Sequence, residues 1–248
     1  ATGSEYDAGG VISRTETNDK TCYSDPHLYP EVSFLDPTYT FTVSKKQTSA
    51  GIADAMNHIF EQYFCEDSTI LNDGFMEAGL KSLMINGRKC LDNPEDYNAR
   101  AEMMLVCTYG CNDIYSLGNS QSGWPCHGME HALSAYYDIT HGEGLAIITP
   151  RWMKHILSDK TVDRFVKYGV NVFGIDSNLD KMEIANKAIE ETYKFYESIN
   201  IPMHLKDVGI DESRIETMAK HVADNEGLEN AWAPLLQEDI AAIFRASL

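Results

Sequence analysis

The chain has 248 residues, 43% of them hydrophobic and 23% charged, with a formal net charge of −18. This length and apolar content suffice for one large core or two modest ones, while the acidic balance argues against a nucleic-acid partner, whose binding relies on clustered Lys and Arg. No stretch approaches the roughly eighteen uninterrupted apolar residues of a membrane span, and Ala1 to Glu5 lack the basic and apolar runs of a secretory signal, so no membrane contact and a cytoplasmic location are expected.

In chain order, residues 1–44 differ from the rest. Gly9 to Ser13, Val32 to Pro37 and Tyr39 to Val43 are short β-prone runs separated by Asn, Asp, Pro and Gly. Three such strands cannot close a core alone, so they must pack on the remainder or on further structure. From Lys45 the pattern turns helical. Ile52, Ala55, Met56, Ile59, Phe60 and Tyr63 recur at three- and four-residue spacing and predict a helix over 49–66. A second is predicted over 68–88, and a third from an Asn93 cap and Pro94 through Met103 and Val106 towards Tyr115. A loop over 118–123 follows. Beyond it, helices are predicted over 141–157, 162–172, 179–198, 213–223 and 238–246, punctuated by Pro202 and by capping candidates Asn178 and Asp211. The chain has no repeat, no low-complexity tract and no glycine-rich phosphate loop. The expected fold class is mainly α: an all-helical domain over 45–248 preceded by a few strands.

Six cysteines (Cys22, Cys65, Cys90, Cys107, Cys111, Cys126) are too sparse for a disulfide scaffold and read as reduced thiols. Cys107 and Cys111 could share a helix face, but no second pair lies at zinc-finger spacing, which favours core packing.

The chemistry-bearing stretch runs from Cys126 to Pro150. His127 and His131 are four apart, and His141 follows beside Gly142 and Gly144, which let backbone approach closely. Upstream, Asp54 and His58 share one face of a predicted helix. One carboxylate and several neutral imidazoles suit Fe²⁺, Zn²⁺, Mn²⁺ or Ni²⁺. On spacing alone, a surface or core-satisfied His pair is the commoner occurrence. His27, His155, His204 and His221 have no partner at ligand spacing. Trp124, Phe64 and Met129 lie near these residues in sequence, either lining an apolar pocket or packing in the core.

Taken jointly, Ala1-Thr2-Gly3-Ser4-Glu5, Leu35-Asp36-Pro37, Asp54-Ala55-x-x-His58-x-x-Glu61, His127-x-x-x-His131, His141-Gly142 and Pro150 resemble, across the whole chain, the iron-containing alcohol dehydrogenases, in particular the butanol dehydrogenase and aldehyde reductase branch. The resemblance implies the dehydroquinate synthase-like fold and a divalent metal held by Asp54, His58, His127 and His141. It places His131 near nicotinamide and substrate as a proton relay, and sets Thr2, Lys20 and Leu35 against NAD(P)H. It also implies a primary alcohol or aldehyde substrate and a homo-oligomer. The family's dinucleotide-binding domain lies upstream, so residues 1–44 are expected to be its last strands, about 100 to 150 residues of it to precede the chain, and the chain alone not to turn over. Two rival readings are a non-catalytic metal-binding helical module and a zinc-dependent relative of glycerol dehydrogenase or dehydroquinate synthase.

Overall fold

The helical body starts at Ser44, whose hydroxyl accepts from the Gln47 amide at 3.2 Å and caps α1 (Lys45–Tyr63). The computed structural model describes residues 3–120 and 122–248; among these, α1 is followed by α2 (Ile70–Asp92), α3 (Tyr97–Cys111), α4 (Pro125–Tyr137), α5 (His141–Ile156), α6 (Val162–Phe173), α7 (Lys181–Ser198), α8 (Ile215–Asn225) and α9 (Gln237–Ala246). The mainly helical expectation is met. No helix among the described residues is long and apolar enough to cross a membrane.

Helix α1 is the centre of the body, packed by α2, α3, α4 and α5 and buried at nearly every position from Thr48 to Tyr63. A helix buried all round must satisfy its polar side chains within the protein. Ser49 Oγ donates to the Ile199 carbonyl at 2.7 Å, Asn57 Nδ2 to the Ala53 carbonyl at 2.9 Å, and Gln62 Nε2 to the Gly110 carbonyl at 2.8 Å. Asp54 and His58 are the exceptions on this helix, and the site is built on them. Helix α5 crosses α1 so closely that a Cβ on Gly142 would collide with the Ala50 carbonyl, which glycine alone permits.

The N-terminal segment forms one antiparallel hairpin, β1 (Gly9–Arg14) with β2 (Asp19–Ser24), registered with Gly9 opposite Ser24 and Arg14 opposite Asp19. Strand β2 lies against α4. The runs 32–37 and 39–43, expected as strands, form none. Residues 32–36 are irregular, and Pro37–Thr40 is a 3-10 turn capped by Asp36, which accepts from the Thr38 amide at 2.9 Å. Asp-Pro turn chemistry overrides their β propensity, since a strand requires a partner and Val32 and Phe34 stand exposed.

Helix starts also shift. Asn93 ends α2, its amide donating to the Lys89 carbonyl at 2.7 Å, and α3 starts at Asp96, which accepts from the Ala99 amide at 3.0 Å. Helix α3 stops at Cys111, because Asp113 takes a left-handed conformation before a short 3-10 turn containing Tyr115. Helix α7 is capped by Asp180 rather than Asn178, and Asp211 caps a 3-10 turn ahead of α8. All six cysteines are free.

Candidate metal centre

Three helices deliver the site. Asp54 and His58, one turn apart on α1, share a face; His127 sits in the first turn of α4; His141 is the first residue of α5. They converge on one atom. Asp54 Oδ1 lies 3.6 Å from Nε2 of His58, of His127 and of His141. Donor atoms of Asp54, His127 and His141 all fall within 4.8 Å of one another. The His58 and His127 rings stack, with centroids 4.9 Å apart and planes 8° from parallel.

At 3.6 Å these atoms are beyond hydrogen-bond reach. Asp54 Oδ1 and His127 Nε2 are both buried without a hydrogen-bond partner. Buried polar atoms are ordinarily paired, because an unpaired one costs about 1–3 kcal/mol. An acceptor and imidazole nitrogens aimed at one point are satisfied together by a cation, so the donor set fits a divalent metal.

The orientation of the rings has a visible cause. His127 Nδ1–H donates to Glu61 Oε2, and the other Glu61 oxygen accepts from the His127 amide at 3.1 Å. His141 Nδ1–H donates to Glu130 Oε2. Each carboxylate turns its ring so that Nε2 faces Asp54, and holds the Nδ1 proton, so that it is Nε2 whose lone pair is available to a metal once that nitrogen is deprotonated. Glu61 and Glu130 are wholly buried. Gly144 makes room for Glu130, whose side chain a Cβ there would overlap. Sequence reasoning assigned neither glutamate a role; the one available signal was a Glu within a turn of each His-bearing motif, at His58-x-x-Glu61 and His127-x-x-Glu130.

Charge is balanced accordingly. Burial would raise the Asp54 carboxyl, but the surrounding imidazoles outweigh it and hold it well below the usual range. Burial pushes His58 down to about 4 despite Asp54. For His127 burial acts in the same direction, yet Glu61 and Asp54 overcome it and lift the ring to about 10. Glu130, which burial would raise, is held low by His141, Lys20 and Ser134.

His131, one turn beyond His127, stands against the cluster, its ring centroid 6.3 Å from that of His127 and 6.0 Å from that of His141. Its Nδ1 lies 3.9 Å from Glu226 Oε1 on the residue after α8. Lys20, on β2, reaches the same region: its Nζ is 3.3 Å from Glu130 Oε2 and 3.4 Å from His141 Nδ1. Leu35 is exposed, in the irregular stretch before Pro37. Thr2 lies outside the described residues. Trp124 is half-buried in a left-handed backbone conformation (φ 52°), and its ring meets His58 and His127 edge-on at 5.9 and 5.2 Å. Phe64 packs instead among Phe60, Trp152, Phe165 and Tyr168, and Met129 is also in the core. Of the remaining histidines, His155 bonds Asp239 at 3.0 Å and His27 bonds Asp25 within its own turn.

Fold and site thus define a helical domain whose central helix and two neighbours build one buried Asp/His₃ cluster with carboxylate support behind it. The chain belongs to the Fe-containing alcohol dehydrogenase family, whose C-terminal part matches residues 48–248. It is 47% identical over its whole length to NADH-dependent butanol dehydrogenase A of Clostridium acetobutylicum, covering 64% of that protein. It is 34% identical to the NADPH-dependent aldehyde reductase YqhD of Escherichia coli, with 91% of the chain matching 58% of that enzyme. Among solved structures, NADH-dependent butanol dehydrogenase A of Thermotoga maritima superposes with a TM-score of 0.92 at 33% identity, over all of this chain and 63% of that one. The chain therefore spans a little under two thirds of the length of these relatives.

Proposed function

We propose that Asp54, His58, His127 and His141 hold one divalent metal ion and that the protein interconverts primary alcohols and aldehydes by hydride exchange with NAD(P)H. The observation that carries this reading is Asp54 Oδ1, buried without a partner and 3.6 Å from three imidazole nitrogens. One carboxylate, three imidazoles and no thiolate suit Fe²⁺ or Zn²⁺, with Ni²⁺ and Mn²⁺ also compatible. Bound there, the ion would supply Lewis acidity to the substrate oxygen.

The chain's own residues supply the rest. Glu61 and Glu130 hold two rings in register; Trp124 walls the site with apolar surface and suits the alkyl part of a substrate. His131 lies one turn from His127, and Glu226 beyond it is partly exposed, which supports a path for the hydroxyl proton from substrate to His131 and outward. The names of the relatives, NADH-dependent and NADPH-dependent, support a nicotinamide nucleotide. Thr2, Lys20 and Leu35 are assigned to its side of the site, and most of its contacts to sequence these relatives carry outside the matched region. Catalysis belongs to such a longer protein; the chain alone is expected to bind metal without turnover. The same reading gives a cytoplasmic homo-oligomer, and the exposed Val11, Ile12, Phe34 and Tyr39 favour burial of the N-terminal segment against a further surface.

Elemental analysis of the chain beside an Asp54→Ala/His127→Ala variant, with circular dichroism on both, tests this. Close to one metal ion per parent chain is expected, lost in a variant that stays helical. A folded parent that takes up neither Fe²⁺ nor Zn²⁺ on reconstitution overturns the reading.

A further inference from the structure

We infer that Lys20 is a positioning residue for His141, acting through Glu130, so that the N-terminal hairpin helps to set the geometry of the metal centre. The inference rests on the metal reading above and concerns groups behind the ligands.

Glu130 is wholly buried and charged, and its partners come from three directions. Ser134 Oγ, one turn later on α4, donates to Oε1; His141 Nδ1–H and Lys20 Nζ both point at Oε2. Ser134 and His141 are neighbours within the helical body, so only Lys20 brings a formal positive charge from elsewhere. Its side chain is 14% exposed, unusual for a lysine, with its ammonium 3.3 Å from the carboxylate at a sequence separation of 110 residues. The backbone is arranged to allow it: β2 lies on α4, and Lys20 pairs opposite Ser13 in the hairpin.

A carboxylate held from one oxygen by a hydroxyl and from the other by an ammonium cannot turn about its last torsion. The oxygen that receives the imidazole proton is then fixed in place, and with it the His141 ring plane. Without Lys20, Oε2 keeps a single donor, the carboxylate gains freedom, and His141 is aimed less well at Asp54. A simple like-charge effect has the opposite sign, since removing a cation near a metal site should tighten cation binding. The two accounts therefore separate by direction.

The test is a double-mutant cycle on metal binding by the full chain, without nucleotide, using Co²⁺ as probe and reading both Kd and the visible d–d spectrum. Glu130→Gln is expected to weaken binding about 10- to 100-fold. Lys20→Met should weaken it about fivefold and shift the spectrum, Lys20→Arg should restore both, and Lys20→Met added to Glu130→Gln should have no further effect. Unchanged or tighter binding in Lys20→Met overturns the inference, as does an equal loss in both backgrounds. Those failures are distinct from failure of the metal reading, in which the parent chain binds no Co²⁺ at all.

Discussion

Two aspartates are equally hidden in this protein and mean opposite things. Asp73 is 3% exposed and Asp54 is 5% exposed. Every oxygen of Asp73 is answered: Arg164 bonds it through both terminal nitrogens at 3.0 and 3.1 Å, Lys167 at 2.5 Å and Ser68 at 2.7 Å. This tie joins α2 to α6 and leaves neither Asp73 oxygen unpaired. Asp54 faces three imidazoles, none in hydrogen-bond contact, and its Oδ1 has no partner. Burial of charge is common to both; only convergence of unpaired donor atoms on one point marks a site for something the chain does not itself contain.

The largest effect that would sharpen this contrast is on folding. Asp73→Ala leaves the part-buried Arg164 without its counter-ion and is expected to cost about 3 kcal/mol in urea unfolding, with metal affinity unchanged. Burial would raise the Asp73 carboxyl, but Arg164, Lys167 and Ser68 hold it below its ordinary value. Its contribution is therefore present above the unfolded value near 3.8 and is lost as pH falls through the lower folded one, so the Asp73→Ala penalty should shrink in acid.

Asp54→Asn should show the reverse pattern. Metal affinity, followed by competition with a chromophoric chelator, is expected to fall at least ~100-fold, or ~2.7 kcal/mol, while cooperative unfolding and helicity persist. A variant that binds metal normally would place Asp54 with Asp73 as a structural carboxylate.

Protons give a smaller signal. With His127 lifted to about 10 and His58 held down to about 4, His127 carries a proton at neutral pH that metal must displace, whereas His58 is already neutral. Between these values these two side chains should release about one proton per ion bound, and the His127 proton by itself should contribute roughly a tenfold rise in affinity per pH unit. Calorimetry in buffers of differing ionisation enthalpy counts that proton; no release from His127 at pH 7 would break the assignment.

The smallest effect concerns Trp124. Its left-handed backbone costs on the order of 1–3 kcal/mol, which glycine relieves, while its edge-on contacts with His58 and His127 contribute about 0.5–1.5 kcal/mol each. Thermal unfolding of Trp124→Gly should stay within about 1 kcal/mol of the parent. A loss of 3 kcal/mol or more would make Trp124 a core residue like Phe64.

The proposed ligand set was legible through the family resemblance, while spacing by itself offered only that Asp54 and His58 are four apart and that the glycines after His141 allow a close crossing, realised where Gly142 meets Ala50. What stands behind the ligands was not. Glu61 meets His127 across 66 residues, and Lys20 meets Glu130 across 110, pairings no spacing rule reaches. The strand misreading has the same root. Val32 to Leu35 has strand-like composition, but pairing is a property of two segments, and in the described residues only 9–14 and 19–24 find each other. Asn93 failed as a helix start for a local reason, because Asp96 three residues later competes for the same role and sits nearer the first apolar turn.

The measurement that bears most directly on the account is X-ray absorption at the metal edge of the chain loaded with one equivalent of Zn²⁺. The account predicts a first shell of nitrogen and oxygen at about 2.0–2.2 Å, with the outer-shell scattering of three imidazoles, falling to two in His141→Ala. A shell containing sulfur, or one of water oxygens without imidazole scattering, would contradict a centre built from Asp54, His58, His127 and His141.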